Sequence, residues 1–271
     1  LARCALAGPR LVGRAGSHGT WLALGIAALW LLHPVQTESV TYVSQRAESM
    51  MAACLLATVY GVARSHTSPR PWAWLALAVA ACVTGMTIKE TMVVAPVVAW
   101  LFDVTFLAGS WREAWRARGR FYLLLAATWV VLAGLMLRSE LGERGVGFGR
   151  GVTVGQNLQI SAGAISHYLR LVFWPQGLAL DYGDATEAAG FVAWRYTIFV
   201  VGLAVATVVA LRRWPMVGFL GCWFLGILAP TSSFVPIVGQ PVAEHRVYLS
   251  LLAPVAWVAW AFDFAAACAA P

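Results

Sequence analysis

Four short polar segments interrupt an otherwise apolar chain and hold most of its reactive side chains. HPVQTES and the residues after it carry His33, Glu38 and Arg46, and MTIKE ends in Lys89 and Glu90. YLRLVFWPQGLALDYGD supplies Arg170, Asp181, Tyr182 and Asp184, while TSSFVPIVGQPVAEHRVYL supplies Glu244, His245, Arg246 and Tyr248. His, Lys and Arg beside carboxylates suit a phosphate group: the cations stabilise charge that develops on a departing phosphate. The carboxylates Glu38, Asp181 and Glu244 are candidates to accept a proton. No paired histidines or carboxylates stand at metal-ligand spacing, so no metal is expected.

Each segment also has a plainer explanation. Pro34 can start a turn, Thr37 or Ser39 can cap a helix, and Glu38 favours a helix's positive end, although none of this requires His33 or Arg46. Lys89 beside Glu90 in a tight helical hairpin can hold the turn among lipid headgroups, with Lys89 snorkelling. Glu244, His245 and Arg246 are three consecutive ionisable residues at the edge of an apolar run; they are costly there unless paired or functional. The glycines from Gly142 to Gly151 suggest a mobile flap. Without a GKS or GKT ending or a preceding strand they make no nucleotide loop.

The elements that must position these residues are helices in a membrane. The chain has 271 residues, of which 60% are hydrophobic and only 11% charged. Soluble proteins carry about a quarter of their residues as charges. Trp30, Trp72, Trp111, Trp115, Trp174, Trp194 and Trp214 stand at the ends of apolar runs, as in an interfacial aromatic belt. The net charge of +7 is not gathered into a basic patch with interleaved aromatics, so nucleic acid is not expected as a partner. Cys4, Cys54, Cys82, Cys222 and Cys268 form no CxxC pair.

The pattern predicts an all-α, polytopic transmembrane bundle of about eight spans, roughly 17–33, 47–63, 71–88, 91–108, 121–137, 194–211, 214–230 and 247–266. NLQISAGAISHYLRLVFWP, with His167 and Arg170, reads as an interfacial or re-entrant helix inside a long outer loop, 138–193. Alternating eight spans places Arg3, Arg10, Arg14, Arg64, Arg70, Arg112, Arg116, Arg118, Arg120, Arg212 and Arg213 on one side. That is eleven of the nineteen Lys and Arg, as the positive-inside rule requires. A ninth span would move Arg212 and Arg213 across. The four polar segments then emerge together on the outer face. The basic LARCALAGPRLVGRAGSHG start reads as a loop following an absent span, and the whole as a single module incomplete at both ends.

The same residues carry a family resemblance. LLHPVQTESVTYVSQRAESMMAACLL resembles the HPxxTExVxxxxxRxxxL signature of GT-C glycosyltransferases that accompany tetratricopeptide repeats, the transmembrane O-mannosyltransferase type and its bacterial relatives. IKETMVVAPVVAWLFDV is similar to that family's KE-Pro-YD helix, LRLVFWPQGLALDYG to its WPxxLxxDY segment, and FVPIVGQPVAEHRVYLSL to the bacterial form of its AERxxYLP segment. In order and spacing the likeness runs from about Leu29 to Leu251. Ser250 stands where the family tends to show Pro, and no tetratricopeptide repeat is visible.

The resemblance implies a polytopic enzyme that takes a mannose-like sugar from a polyprenyl or dolichyl phosphate and passes it to a protein hydroxyl. It implies no cofactor beyond that donor substrate, and partners that are the bilayer, the lipid-linked sugar and an acceptor protein. It places the main carboxylate base upstream of Leu1, leaving Glu38, Asp181 and Glu244 as the carboxylates in view. His33, Arg46, Lys89, His245 and Arg246 would bind the donor phosphate, supported by Glu90, Tyr182 and Tyr248. The Arg-rich, Lys-poor usage with abundant Ala, Trp and Gly suggests a high-GC bacterium and hence its inner membrane. The alternatives are a lipid or oligosaccharide flippase, whose charges would line a path through the bilayer, and a non-catalytic assembly subunit.

Overall fold

The computed structural model describes residues 2–6, 18–138, 153–183, 193–232 and 241–269, and among these residues every regular element is helical. The helices of eight or more residues are α1 (Gly19–Leu32), α2 (Arg46–Ser65), α3 (Pro71–Ile88), α4 (Ala95–Phe102) and α5 (Trp111–Ala127). They continue with α6 (Trp129–Arg138), α7 (Val154–Phe173), α8 (Trp194–Arg213), α9 (Pro215–Leu228) and α10 (Leu252–Ala269). The Gly142–Gly151 run and the FVPIVGQ segment lie outside the described residues, as does Asp184.

Helix starts follow from local chemistry. Pro71 and Pro215 occupy the first turns of α3 and α9, where a missing N–H costs nothing. Thr153 and Gln156 form a reciprocal capping box at the start of α7: the Thr153 hydroxyl accepts from the Gln156 N–H, and the Gln156 side chain accepts from the Thr153 N–H. Ser110 caps α5 by accepting from the Glu113 N–H.

Four helical stretches are long and apolar enough to cross a membrane: Pro71–Ile88, Glu90–Leu107, Trp111–Arg138 and Trp194–Arg213. Glu244–Ser250 with Leu252–Ala266, bent by 49°, makes a fifth if the pair is one span. This is a helical membrane bundle. Helices occupy all eight intervals expected from the sequence, but α1 and α9 are apolar helices of 14 residues. At 1.5 Å per residue that is about 21 Å, against about 30 Å of hydrocarbon. Helix α2 is long enough, but its first turn carries Arg46 and Glu48.

The most extensive helix pair is α2 with α3. Gly61 makes it possible, because a Cβ there would lie 2.7 Å from the Trp74 carbonyl oxygen. Around this pair a continuous apolar core includes Met51, Leu55, Val59, Met86, Leu125, Leu171 and Leu228.

Candidate functional site

Segments that lie 207 residues apart in the chain, at Glu38 and His245, meet at one end of the bundle. The link between α1 and α2 folds as a turn Pro34–Gln36 and a short helix Thr37–Thr41, and the turn Glu244–Arg246 packs against both. Glu38 is buried there, and its carboxylate receives two bonds from one residue. His245 Nδ1 lies 2.7 Å from Oε1, and the His245 backbone N–H donates to Oε2 at 2.8 Å. With Nδ1–H directed at Glu38, the tautomer is set. Ser39 adds a bond to the His245 carbonyl at 3.4 Å.

Glu244 belongs to a second chain of bonds. Its Oε1 accepts from the Tyr182 hydroxyl at 2.5 Å and from the Ala179 N–H at 2.8 Å. The Tyr182 oxygen lies 3.1 Å from His167 Nε2 on α7. Burial pushes the His167 imidazole below its ordinary range, and the Arg170 cation adds to this, so the ring is held neutral. Burial, then the Glu244 carboxylate, push the Tyr182 phenol well above its ordinary value, so it stays a proton donor. The residue after His167 on α7, fully buried Tyr168, accepts from the Ala243 N–H at 2.8 Å.

The cations named from the sequence are placed differently from one another. Buried Arg246 donates to the Pro241 carbonyl at 2.8 Å and lies against Tyr168. Lys89 pairs with Glu48, a buried carboxylate of the first turn of α2. His33 brackets two elements, with Nε2 2.9 Å from the Val172 carbonyl at the C-terminal end of α7 and Nδ1 accepting from the Val35 N–H at 3.3 Å. Both ring nitrogens of His33 are thereby used in its neutral form. Arg46, Glu90 and Asp181 are exposed, and Asp181 accepts from the Gly183 N–H at 3.0 Å. Tyr248 is half-buried, its ring 5.1 Å from that of Trp30, whose indole N–H donates to the Tyr248 carbonyl at 2.8 Å.

The structure thus joins Glu38 to His245 and Tyr182 to Glu244, and adds Glu48, His167 and Tyr168, which the motif reading had not assigned. A signal for Glu48 was present: it stands on the same helical face as the buried Met51, Ala52, Leu55 and Val59. Two buried oxygens at this end, Gln36 Oε1 and Thr91 Oγ1, have no hydrogen-bond partner among the described residues. Buried polar atoms are rarely left so. Among the described residues no group of His, Cys, Asp and Glu could hold a metal.

A second polar cluster lies at the opposite end. Asp103, fully buried in a wide turn following α4, sits 2.9 Å from His66 Nε2 and 3.3 Å from an Arg118 guanidinium nitrogen, and accepts from the Tyr122 hydroxyl at 2.6 Å. Arg118 reaches it from a break in α5, where the backbone leaves the helical region (φ −139°, ψ 20°).

Among known proteins, the chain is 33% identical over 98 residues to the Protein O-mannosyl-transferase Tmtc2 of Drosophila melanogaster. The match covers 34% of this chain and 10% of that protein, so the chain spans a small part of its relative's length. It supports a distant relation to the O-mannosyltransferases. No family model matches the chain, and no solved structure does.

Proposed function

We propose that this chain is the membrane core of a glycosyltransferase that moves a mannose-like sugar from a polyprenyl or dolichyl phosphate to a hydroxyl on an acceptor protein. The observation that carries this reading is the buried layer in which Glu38 grips His245 while Tyr182 grips Glu244, with Arg246 next in sequence. Charged side chains at the end of a helical bundle are costly to bury, and a charged headgroup whose tail lies in the bilayer is a ligand that such a layer fits. The distant relation to an O-mannosyltransferase agrees in class.

In the proposed reaction the acceptor oxygen attacks the anomeric carbon. The bond from that carbon to the phosphate oxygen breaks, and the phosphate leaves with the electron pair. A carboxylate takes the acceptor's proton. Arg246, His245 and Lys89 stabilise the charge on the leaving phosphate, and His33, Glu38 and Arg46 shape that shell. Within this chain Glu38, Asp181 and Glu244 are the carboxylates proposed for that proton transfer. Asp181 is the exposed one of the three and the freest to meet an acceptor. The donor is the lipid-linked sugar, with no further cofactor.

The topology proposed with this reaction has eight spans, with α7 re-entrant, the polar layer on the outer face of a bacterial inner membrane and the arginine-rich loops inside. A flippase would need charges along a path through the bilayer. Among the described residues the buried acidic groups lie instead at the two ends, Glu38, Glu48 and Glu244 at one and Asp103 at the other.

The test is sugar transfer from radiolabelled polyprenyl-phosphate mannose to membrane protein by cells expressing the full-length protein. Arg246→Lys and Arg246→Ala should each lower transfer at least tenfold while membrane insertion is retained. Normal transfer by Arg246→Ala would remove the leaving-group role and favour an assembly subunit.

A further inference from the structure

Away from the polar layer, α1, α2, α9 and α10, with the short helix Ala2–Leu6, line a half-open cavity of about 720 Å³, within the size range of small-molecule sites. Its walls are almost wholly apolar; Ala23, Ala27, Phe106, Phe219 and Trp223 are representative. An empty apolar void of this size forfeits dispersion contacts along its whole lining, and water gains nothing there. Hydrocarbon is what a bilayer supplies to fill it.

Length and charge narrow the occupant. The cavity runs along α1 from Thr20 to Trp30, a rise of about 15 Å, which is half of the roughly 30 Å hydrocarbon core and therefore about the length of one acyl chain. At one end the Trp30 indole is tied to Tyr248, forming a partition between the cavity and the polar layer of the candidate site. Towards the other end Phe106 follows Asp103, the centre of the His66–Arg118 cluster. Among the described residues Arg3 is the one charged residue in the lining; it is exposed, and no carboxylate of the described lining accompanies it. A cation where an apolar slot meets the interface is complementary to an anionic phosphodiester.

We propose that this cavity is a binding site for an anionic glycerophospholipid of the leaflet opposite the candidate catalytic layer, with one acyl chain between α1 and α9 and its phosphate on Arg3. The site is separate from the proposed sugar donor, whose headgroup belongs at the other end of the bundle. A bound acyl chain would complete the packing of α1 against α9 and α10, and so hold the Trp30–Tyr248 contact that borders the polar layer.

The protein reconstituted in phosphatidylcholine nanodiscs would be photolabelled with phosphatidylglycerol or phosphatidylcholine carrying a diazirine at the end of one acyl chain, and the labelled peptides mapped. Phosphatidylglycerol should label the cavity faces of α1 and α9 about fivefold more than phosphatidylcholine, the preference one cation near the surface supplies. Arg3→Glu should abolish the preference. Ala27→Trp and, independently, Ala256→Trp should remove cavity labelling while labelling around lipid-facing Ile198 stays unchanged. Absence of label in the cavity would show that polypeptide fills it and would overturn the proposal. So would equal labelling by the two headgroups, or labelling that both tryptophan variants leave intact.

Discussion

Glu38 and His245, 207 positions apart, are joined twice: one carboxylate oxygen meets the imidazole Nδ1 and the other meets the backbone N–H of the same residue. That pairing binds the link after α1 to the turn before α10, and it occupies both oxygens of a buried carboxylate. Glu38 is therefore a positioning residue for His245, whose second ring nitrogen has no hydrogen-bond partner among the described residues.

Replacing Glu38 by Gln keeps its shape but makes one of its two acceptors an NH₂ group, which either forces the His245 imidazole out of its Nδ1–H tautomer or leaves that donor unsatisfied. An unsatisfied buried polar group costs about 1 to 3 kcal/mol. Glu38→Gln should lower the thermal midpoint of the detergent-solubilised protein, and Glu38→Gln with His245→Ala should cost clearly less than the sum of the two single changes. Additive losses would show that the two side chains act independently.

Much of the polar layer was legible in the sequence because its residues break long apolar runs, where a charged side chain needs a reason to stay. Glu38, Glu244 and His245 are found that way. Their partners are harder to read. Pairing of Lys89 with Glu48, or of Tyr182 with His167, depends on how α2 and α7 lie against neighbouring turns, which helical periodicity does not encode. Helix positions follow from hydrophobic length, but the number of spans does not: α1 and α9 are apolar yet short, so length alone leaves their crossing open. Asp103 was visible only as a carboxylate near a span end. Its three partners come from other helical turns and, in Arg118, from a break in α5 just before Gly119, a lone glycine that a helical pattern ordinarily tolerates.

The Asp103 cluster should matter for folding more than for chemistry. Asp103→Ala leaves His66, Arg118 and the Tyr122 hydroxyl facing one another around an empty buried position. Removing one partner of a buried ion pair typically costs about 3 to 5 kcal/mol. Expression of properly inserted protein should fall sharply, whereas Tyr122→Phe should be much milder, since Asp103 keeps its bonds to Arg118 and His66. Equal effects from the two variants would make the hydroxyl, not the charge, the organising contact.

Topology can be read by labelling single cysteines placed in a variant lacking the native ones. Arg116 and Gln176 are both exposed, the first on α5 and the second in the segment that leads to Tyr182. A membrane-impermeant maleimide should reach Gln176→Cys from outside intact cells and Arg116→Cys only after the membrane is opened. Reaction of both from one side would remove the eight-span arrangement.

His167 makes the stability of the layer depend on pH, with a definite sign. Burial and Arg170 lower its folded pKa below the ordinary histidine value of about 6.5, so the unfolded chain takes up a proton first as pH falls. Its contribution is therefore fully present above about pH 6.5 and is lost as pH falls through the lower, folded value. Because the Tyr182 hydrogen goes to Glu244, Nε2 already donates to the Tyr182 oxygen, and protonation would add a second N–H, at Nδ1, with a charge to solvate. Thermal midpoints measured between pH 5 and pH 8 should decline on the acid side in the native protein, and His167→Gln should flatten that decline while leaving the midpoint at pH 8 nearly unchanged. Tyr182→Phe separates the two effects. It removes the bond to Glu244 at every pH, so it should lower the midpoint across the range without flattening the acid limb. An acid limb of unchanged steepness in His167→Gln would assign the titration to another group.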